Sequence, residues 1–413
     1  MKVIFLSAMY SNIESDIAIS KKTNSVSGHK FQENLLRGIA ENGCDMTVIN
    51  VSRVCTYPNY PKIRMRKKRR MWFDTIPGTE VGFLNLPLIR YLTAWPGVYS
   101  ALRKELKKHK KEPCVLVTFN SNLHASLPML WARFWHKNVT LCNVVGDLHG
   151  VCGLQNRTPG FKGCMIRLVE KIQDPLGRKL DTFVFLTEHM AEAFGVSHKP
   201  SCVVEGLYAM DQMDDGNCGE TENAKTIFYA GTMCKEYGLD HLLRAFSMIE
   251  DKDYQLWLAG DGDTAPLVEE YASRDSRIKY LGYITPQQVA ERQKMTTVLI
   301  SPRTSEREFV KHSFASKTLE CLASGKPYIA HKLPCDPPEY AEHIQYAAGE
   351  TDEALRDKIV EICSLAPAQR EEIGQKARNF VATQKNPKTM CKRIIDLWEA
   401  VLKGRCECEK DTE

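Results

Sequence analysis

Short apolar runs alternate along the chain with segments whose apolar residues recur every three or four positions. The runs have the length of buried strands, and the spaced segments have the period of amphipathic helices. The strand-like runs are residues 2–7, 46–49, 114–117, 139–145, 182–187, 226–230, 255–259, 278–284 and 298–300. This alternation predicts an α/β protein with parallel sheets covered by helices, whose ligands bind at the carboxyl ends of the strands.

A polar stretch at residues 211–223, rich in Asp, Gly, Asn and Glu, is typical of a linker between domains. We therefore predict two domains, residues 1–205 and residues 206–386. Apolar residues at helical spacing predict a long amphipathic helix over residues 387–404. The length of 413 residues and the hydrophobic fraction of 43% are sufficient for two cores.

The region from residue 57 to residue 99 departs from the alternation because it carries a dense basic run, followed directly by aromatic residues. Cations beside aromatic side chains suit an anionic membrane surface, so we expect this region to contact a membrane or an acceptor. The expected contact residues are Arg66, Lys67, Lys68, Arg69, Arg70 and Trp72. A solvated loop is the alternative, and because no nucleic-acid-binding signature accompanies the run we expect no nucleic acid partner.

The remaining composition indicates where in the cell the protein is expected. The net charge of +5 is mild, and no apolar segment approaches the roughly 20 residues of a membrane-spanning helix. The 15 cysteines show no repeated metal-binding spacing, and the first apolar run is too short for a secretory leader. Reduced thiols in a cytosol are therefore expected, in a protein that is cytoplasmic or peripheral on the inner face of the membrane.

The clearest chemistry follows the strand-like run at residues 298–300, where a polar loop leads to a predicted helix that ends at Gly325. A helix N-terminus favours an anion, and the basic residues Arg303 and Lys317 stand beside it. Glu320, one helical turn further on, can accept hydrogen bonds from ribose hydroxyls. A phosphate site followed by a ribose site predicts that the chain binds a nucleotide sugar.

Two glycine turns after neighbouring strands extend this predicted site. Gly231 stands where backbone must approach a ligand closely, and Gly262 belongs to a Gly-Asp-Gly turn. Lys235 is the candidate cation for the leaving diphosphate, because negative charge grows there as the glycosidic bond breaks. An exposed loop lysine is the alternative for Lys235. Asp261 and Asp263 also resemble a metal motif, but we expect no catalytic metal.

The first half of the chain offers three further candidates. Gly28 stands at the entrance of a predicted helix, and Asp147 and His149 follow the strand-like run at residues 139–145. A carboxylate and an imidazole at the carboxyl end of a strand are well placed for a cleft. A simple turn at Gly28 and loop-capping roles for Asp147 and His149 are the alternatives.

Residues 301–327 contain, in order, Pro-Arg, Ser-Phe, Ser-Lys, Leu-Glu and Leu-Ala-Ser-Gly-Lys-Pro, and this order resembles the donor site of glycosyltransferase family 4. The resemblance is to its bacterial capsular and exopolysaccharide members in particular. That family typically carries two glutamates eight positions apart, of which Glu320 matches the second, whereas His312 occupies the place of the first. The implied donor contacts are Arg303, Phe314, Ser316, Lys317 and Glu320, and His312 is expected to face the sugar.

The resemblance further implies a GT-B fold, in which two Rossmann-like domains with parallel sheets face a central cleft. The first domain is expected to bind the acceptor, the second is expected to bind the donor, and the helix at residues 387–404 is expected to return to the first. The implied catalytic residues are His312, Asp147, His149 and Lys235, and the further donor contacts are Gly28, Gly231, Lys235, Gly262 and Tyr283.

Such an enzyme moves a sugar from a nucleoside-diphosphate donor to a hydroxyl of a glycan or lipid-linked acceptor, with retention at the anomeric carbon. It uses no metal and no cofactor beyond its donor substrate. Biosynthesis of capsular, exopolysaccharide or other cell-surface glycans is the expected setting. Two alternatives stay open: a non-catalytic nucleotide-sugar-binding scaffold in a polysaccharide assembly complex, and a GT-B-like nucleotide-sugar epimerase.

Overall fold

The computed structural model describes residues 1–21, 26–110, 112–149, 160–212 and 225–410. The chain divides into two compact units, which we call unit 1 (Met1–Leu207 with Pro387–Glu413) and unit 2 (Tyr208–Asn386). The boundary after Leu207 lies two residues beyond the predicted one. Most of the predicted linker, residues 213–223, lies outside the described residues.

Unit 1 is built on an eight-stranded sheet. The described strands of unit 1, eight in this sheet and two in a separate pair, are β1 (Lys2–Ser7), β2 (Asp45–Asn50), β3 (Arg64–Met65), β4 (Lys68–Trp72), β5 (Ile76–Glu80), β6 (Phe83–Leu84), β7 (Cys114–Phe119), β8 (Val139–Val145), β9 (Thr182–Phe185) and β10 (Ser201–Val203). The strand order is β10-β9-β8-β7-β1-β2-β5-β4, while β3 and β6 form a separate antiparallel pair. All neighbours in the large sheet run parallel except β4 with β5. The predicted parallel α/β architecture is thus confirmed.

Helices cover both faces of this sheet. They are α1 (Ile13–Ala18), α2 (Ser27–Glu41), α3 (Ile89–Lys108), α4 (Leu123–Ala132), α5 (Gly160–Gly177), α6 (Met190–Ala193) and, near the end of the chain, α13 (Pro387–Lys410). One core packs α3 and α4 against one face of the sheet, and a second core packs α2 and α13 against the other. Trp398 of α13 is fully buried in the second core. The helix predicted at residues 387–404 therefore completes unit 1.

The basic run forms strands, which differs from the loop considered above. Residues Lys68–Trp72 pair with Ile76–Glu80 at one edge of the sheet, and Arg64 pairs with Leu84 in the small sheet. The five cations from residue 66 to residue 70 are exposed, as expected. Trp72 is not, because its side chain is only 5% exposed and lies in the second core of unit 1. Trp72 therefore anchors this edge and offers no ring to a membrane.

Unit 2 carries a six-stranded, all-parallel sheet. Its strands are β11 (Lys225–Ala230), β12 (Tyr254–Ala259), β13 (Ile278–Tyr280), β14 (Val298–Ser301), β15 (Tyr328–Ala330) and β16 (Gln345–Tyr346), in the order β13-β12-β11-β14-β15-β16. Its helices are α7 (Leu239–Ser247), α8 (Ala265–Arg274), α9 (Pro286–Lys294), α10 (Lys317–Ala323), α11 (Asp352–Ser364) and α12 (Pro367–Gln384). The predicted strand and helix order of this half is confirmed.

Local sequence explains why these elements begin where they do. The Thr285 hydroxyl accepts a hydrogen bond from the Gln288 N–H, and the Gln288 side-chain oxygen accepts one from the Thr285 N–H. This reciprocal pair is a capping box, and it starts α9. Thr351 accepts the Ala354 N–H at the start of α11. In the described part of the chain, no helix is long and apolar enough to cross a bilayer.

Candidate functional site

The strand order of unit 2 changes direction between β11 and β14. The chain adds β12 and β13 on one side of this pair, and β15 and β16 on the other. Parallel α/β sheets bind ligands outside the carboxyl ends of the strands at such a switch point. The loops that leave β11 and β14 there begin at Gly231 and Pro302, so the topology points to the segments that the sequence singled out.

Gly231 and Gly260 bring the loops after β11 and β12 into direct backbone contact. The Gly231 N–H donates to the Ala259 carbonyl at 2.9 Å, and a Cβ placed on Gly260 would lie 1.8 Å from the Gly231 carbonyl oxygen. Gly260 and Gly262 have φ angles of 142° and 154°, which L side chains rarely adopt. A Cβ on Gly231 would lie 2.6 Å from the Tyr229 hydroxyl and 3.2 Å from the Lys317 Nζ. The Gly231 backbone therefore lies directly beside this ammonium group and the Tyr229 ring.

Lys317 is the first residue of α10, and its ammonium reaches the end of β11. The Nζ donates a hydrogen bond to the Ala230 carbonyl oxygen. Lys317 keeps exposed surface, but partial burial lowers the pKa of Lys317, and the nearby Glu320 and Cys321 only partly oppose this shift. An ammonium that is partly desolvated and donates to a neutral carbonyl is suited to bind an anionic ligand.

The N-terminus of α10 contributes less than the sequence suggested. The helix has 7 residues, and its N-cap Ser316 makes no side-chain capping bond. The Thr318 N–H already donates to the Ala315 carbonyl at 2.8 Å. Because so short a helix has a small dipole, Lys317 is the main positive group at this position. Glu320 lies half-buried in the first turn, as expected for a group that meets a ligand from one side.

Arg303, one of the predicted donor contacts, is largely buried in the loop before α10. Its side chain is 6% exposed, and its guanidinium lies 5.6 Å from the Tyr237 ring centroid and 5.0 Å from that of Phe309. The Nη1 donates to the Ser313 carbonyl at 3.2 Å. The Nε and Nη2 have no hydrogen-bond partner among the described residues. Arg303 thus fastens the loop that leads into α10.

The same loop carries two other predicted residues. His312 ends a 3₁₀ helix at Glu308–His312 and is half-buried. Phe314 is 6% exposed, and its ring centroid lies 5.5 Å from that of Tyr340. The Phe314 ring therefore anchors the loop in the core.

The loop after β11 presents Lys235 at the surface. Lys235 is exposed, and its backbone N–H donates to the Asp263 carboxylate at 3.0 Å. One ligand atom from each of Cys234, Glu236 and Asp263 lies within 4.8 Å of the others, which is a spacing that a metal ion can use. Tyr283, in the loop after β13, is 78% exposed and open to stack on a planar ligand.

Unit 1 has its own switch point, between β1 and β7. Asn120, directly after β7, has a φ of 52°, an uncommon value for a residue other than glycine. Its Oδ1 accepts the N–H groups of Gly146 and Asp147 at 2.6 and 3.2 Å, and its Nδ2 donates to the Asp147 carboxylate at 3.3 Å. Asn120 thereby holds the predicted Asp147 at the carboxyl edge of the sheet.

His149 is positioned by a carboxylate. Its Nδ1 lies 2.7 Å from the Asp174 Oδ1. Burial disfavours the charged imidazole, but the hydrogen bond to Asp174 and the charges of Asp174, Glu170 and Asp147 outweigh it and raise the pKa of His149. The carboxylate fixes the ring and leaves Nε2 as the atom that can meet a ligand.

Gly28, at the start of α2, lies beside a cation. A Cβ placed on Gly28 would lie 2.6 Å from the Arg53 Nη1 and 3.6 Å from the Phe119 ring. Arg53, Asn120 and Asp174 were not among the predicted residues. Asn120 could have been found from the sequence, because it begins the polar stretch directly after an apolar strand. No sequence pattern marks Arg53 or Asp174 as a site residue.

Several solved structures share the fold of this chain. Sucrose-phosphate synthase from Thermosynechococcus elongatus is 15% identical, with a TM-score of 0.63 and coverage of 98% of this chain and 100% of that one. A glycosyltransferase from Rickettsia africae is 15% identical, with a TM-score of 0.63 and coverage of 97% and 99%. HepE from Anabaena, solved with UDP, is 14% identical, with a TM-score of 0.59 and coverage of 97% and 100%. The chain has the GT-B fold, as the sequence predicted.

Part of unit 2 is similar in sequence to a known family. Residues 224–365 match the family model described as Glycosyl transferases group 1. This segment contains the loops after β11, β12 and β14 and the whole of α10. The similarity to this family therefore covers the segment in which the donor site was predicted. No curated protein matches the chain in a sequence search.

Proposed function

We propose that this protein is a retaining, metal-independent glycosyltransferase that transfers a sugar from a nucleoside diphosphate to a hydroxyl of a glycan or lipid-linked acceptor. Synthesis of a capsular, exopolysaccharide or other cell-surface glycan is the proposed setting, on the cytoplasmic side of the membrane. The similarity of the donor-site loop to family 4 members supports the retaining class.

The observation that carries this proposal is the Lys317 ammonium beside the backbone of Gly231, at the switch point of unit 2. A phosphate group at this position can accept a charge-assisted hydrogen bond from the Lys317 ammonium. Glu320 lies one turn along α10, where its carboxylate can accept hydrogen bonds from a ribose. HepE from Anabaena has been solved with UDP-glucose, which favours a uridine nucleotide as the first ligand to test.

The proposed reaction requires stabilisation of the departing diphosphate. Lys317 and Lys235 supply positive charge at the two loops, and Arg303 holds the loop before α10 in place. In this mechanism His312 faces the donor sugar. Asp147 and the Asp174-bound His149 orient the acceptor hydroxyl at the edge of the sheet in unit 1.

A binding screen tests the donor site. The purified protein is melted with uridine, guanosine and adenosine diphosphates and with their common sugar conjugates. A ligand at 100 times its dissociation constant should add about 2.7 kcal/mol to the free energy of unfolding, and therefore raise Tm. A selective rise for one base supports the proposal and names the donor, whereas a well-folded protein that responds to none of them contradicts it.

A turnover assay separates the enzyme from the two alternatives. The donor found in the screen is incubated with candidate lipid-linked and glycan acceptors, and the products are analysed by mass spectrometry and by anomeric NMR signals. A transferred sugar with its anomeric configuration kept supports the proposal. Binding without any turnover favours a scaffold, and an altered nucleotide sugar without acceptor favours an epimerase.

Metal independence is tested in the same assay. Activity is expected to persist in EDTA, because Lys317 and Lys235 supply the positive charge. Loss of activity in EDTA, restored by a divalent ion but not in a Cys234→Ser variant, would instead assign a metal to Cys234, Glu236 and Asp263.

A further inference from the structure

We propose that unit 1 binds an anionic lipid bilayer through the outer side of α3 and α4. The contact is an aromatic cluster, which we call the aromatic surface, and of its rings Trp131, Phe134 and Trp135 are exposed. Its residues are Trp95, Tyr99, Trp131, Phe134 and Trp135. This surface differs from the basic run singled out by the sequence, and the inference does not depend on the transfer reaction.

Exposure distinguishes these residues from ordinary surface residues. Phe134 is 82% exposed, Trp135 is 47% exposed and Trp131 is 45% exposed. Leu92, on the neighbouring α3, is 75% exposed. Large apolar side chains scattered singly are normal on a protein surface, but a contiguous group of this kind marks an interaction site.

The aromatic surface is already ordered without a partner. The Trp95 and Trp131 ring centroids lie 5.2 Å apart with an interplanar angle of 87°. Tyr99 makes a similar edge contact with Trp135 at 4.8 Å and stacks beside Trp95 at 5.6 Å. Edge-to-face packing of this kind fixes the rings, so little side-chain entropy is lost on binding.

The charges around the aromatic surface are mainly positive. The Arg103 guanidinium lies 5.4 Å from the Trp135 ring centroid. Further exposed basic residues on and beside these two helices are Lys104, Lys107, Lys110 and Lys137, while Arg133 is paired with Asp181. Glu105 is the sole acidic residue in the sequence ranges 89–110 and 123–138, and it is paired with Lys108. The aromatic surface therefore lies in a basic field.

The basic run adjoins α3. The Leu84 N–H in β6 donates to the Thr93 hydroxyl in α3 at 3.1 Å, and Leu84 pairs with Arg64 of the run. Exposed cations thus stand near α3 in addition to those on α3 and α4 themselves. An anionic lipid surface attracts such a group of Lys and Arg residues.

A bilayer fits these features better than a second copy of the chain. Trp and Tyr rings combine an apolar body with a polar edge, and they are enriched at the membrane–water interface. A self-association through the same face would bring like charges together, which is unfavourable. Anionic headgroups instead complement the cations while the exposed Phe134 enters the acyl boundary.

The test compares vesicle binding of two variants in the absence of nucleotide. The protein is sedimented with vesicles of phosphatidylcholine alone and with vesicles that contain phosphatidylglycerol as well. Phe134→Ser removes the most exposed ring, and Met248→Ser is the matched control, since Met248 is an apolar residue of unit 2 that is 38% exposed. We expect binding to the anionic vesicles, a loss of about tenfold or more in partitioning for Phe134→Ser, and no loss for Met248→Ser.

Tryptophan fluorescence gives an independent readout. Insertion of Trp131 and Trp135 should shift the emission to the blue and allow quenching by lipids brominated near the headgroup. Equal vesicle binding by Phe134→Ser and wild type, or no binding at all, would overturn the proposal. So would a concentration-dependent dimer in sedimentation equilibrium that Phe134→Ser abolishes. The nucleotide-induced rise in Tm is measured on the same variant, so a failure here is separable from a failure of the proposed activity.

Discussion

Replacement of Lys317 by Met tests the central feature of the donor site. The substitution keeps the length and apolar stem of the side chain and removes only the ammonium that reaches the Ala230 carbonyl. If Lys317 is there to bind phosphate, the variant should fold normally and bind nucleotide poorly. If Lys317 is there to support the fold, stability should fall instead.

The magnitudes follow from the surroundings of the ammonium. A hydrogen bond to a charged group contributes about 1.5–3 kcal/mol, so loss of a phosphate contact should weaken nucleoside-diphosphate binding by about 10- to 150-fold. In the free protein the ammonium is partly desolvated, which lowers its pKa. Its removal sacrifices one carbonyl bond and relieves that desolvation, so the free energy of unfolding should change by no more than about 1 kcal/mol.

The lowered pKa also gives binding a pH dependence. Above the lowered pKa of Lys317, which lies below the usual 10.5, the free side chain is neutral and attracts phosphate weakly. Wild-type affinity should therefore decline as the pH rises through that value, and the Lys317→Met variant should lack this limb. Below the lowered pKa, Lys317 is charged in the folded protein, and its desolvation reduces the free energy of unfolding. As the pH rises above that pKa the side chain becomes neutral, and this destabilisation disappears.

Isothermal titration with the diphosphate found in the screen measures the affinity, and urea unfolding measures the stability. Lys252→Met is the matched control, because Lys252 is exposed in the loop before β12, at the opposite edge of the sheet. Wild-type affinity in Lys317→Met, or a loss of stability well beyond 1 kcal/mol with unchanged affinity, would refute the reasoning.

Three further substitutions test other parts of the two units. Glu320→Ala should lower turnover at least about tenfold, which is roughly 1.4 kcal/mol of transition-state stabilisation, and a wild-type rate would exclude its ribose role. Asp174→Asn should lower the pKa of His149 in an NMR titration, because the group that raises it is gone; an unchanged value would contradict the pairing. The pair stabilises the fold below the ordinary His pKa of 6.5, and this contribution disappears as the pH rises through the raised value. Gly260→Ala should destabilise unit 2 by about 2–5 kcal/mol, since its φ is 142° and its new Cβ would meet the Gly231 carbonyl; an unchanged Tm would be inconsistent with this geometry.

The sequence was most informative in unit 2, where most strands are rich in apolar residues and most end at a glycine or a polar loop. Val298–Ser301 and Tyr254–Ala259 lie inside a parallel sheet and are largely buried, so their apolar character is easy to recognise. Lys317 and Glu320 became candidates because they lie on the next α-helix after such a strand. The surroundings of Arg303 were not identifiable, since its burial depends on rings brought in from other loops.

The basic run shows why one strand of unit 1 was not predicted from the sequence. The strand Lys68–Trp72 lacks a regular alternation of apolar and polar residues, because four of its five side chains are exposed at the edge of the sheet. Edge strands tolerate exposed cations, and these residues protect the edge from pairing with another chain. The strand became recognisable only through its antiparallel partner, Ile76–Glu80.

In unit 1 the limiting factor was distance along the chain. Asn120 contacts a residue 27 positions away, and His149 contacts one 25 positions away. Local spacing carries no information on such contacts, because loops at the edge of a sheet are brought together by the strands that precede them. The unusual φ of Asn120 is likewise visible only in the structure.

The return of α13 to unit 1 has a consequence for synthesis of the protein. Unit 2, from Tyr208 to Asn386, is continuous and has all of its strands once Asn386 has left the ribosome. Unit 1 emerges earlier but lacks the buried Met390, Ile394 and Trp398 until α13 appears. The apolar face of α2 and the adjoining face of the sheet therefore lack their α13 contacts while the whole of unit 2 is translated. Unit 1 is therefore translated first, but its core is completed only after unit 2 has been synthesised.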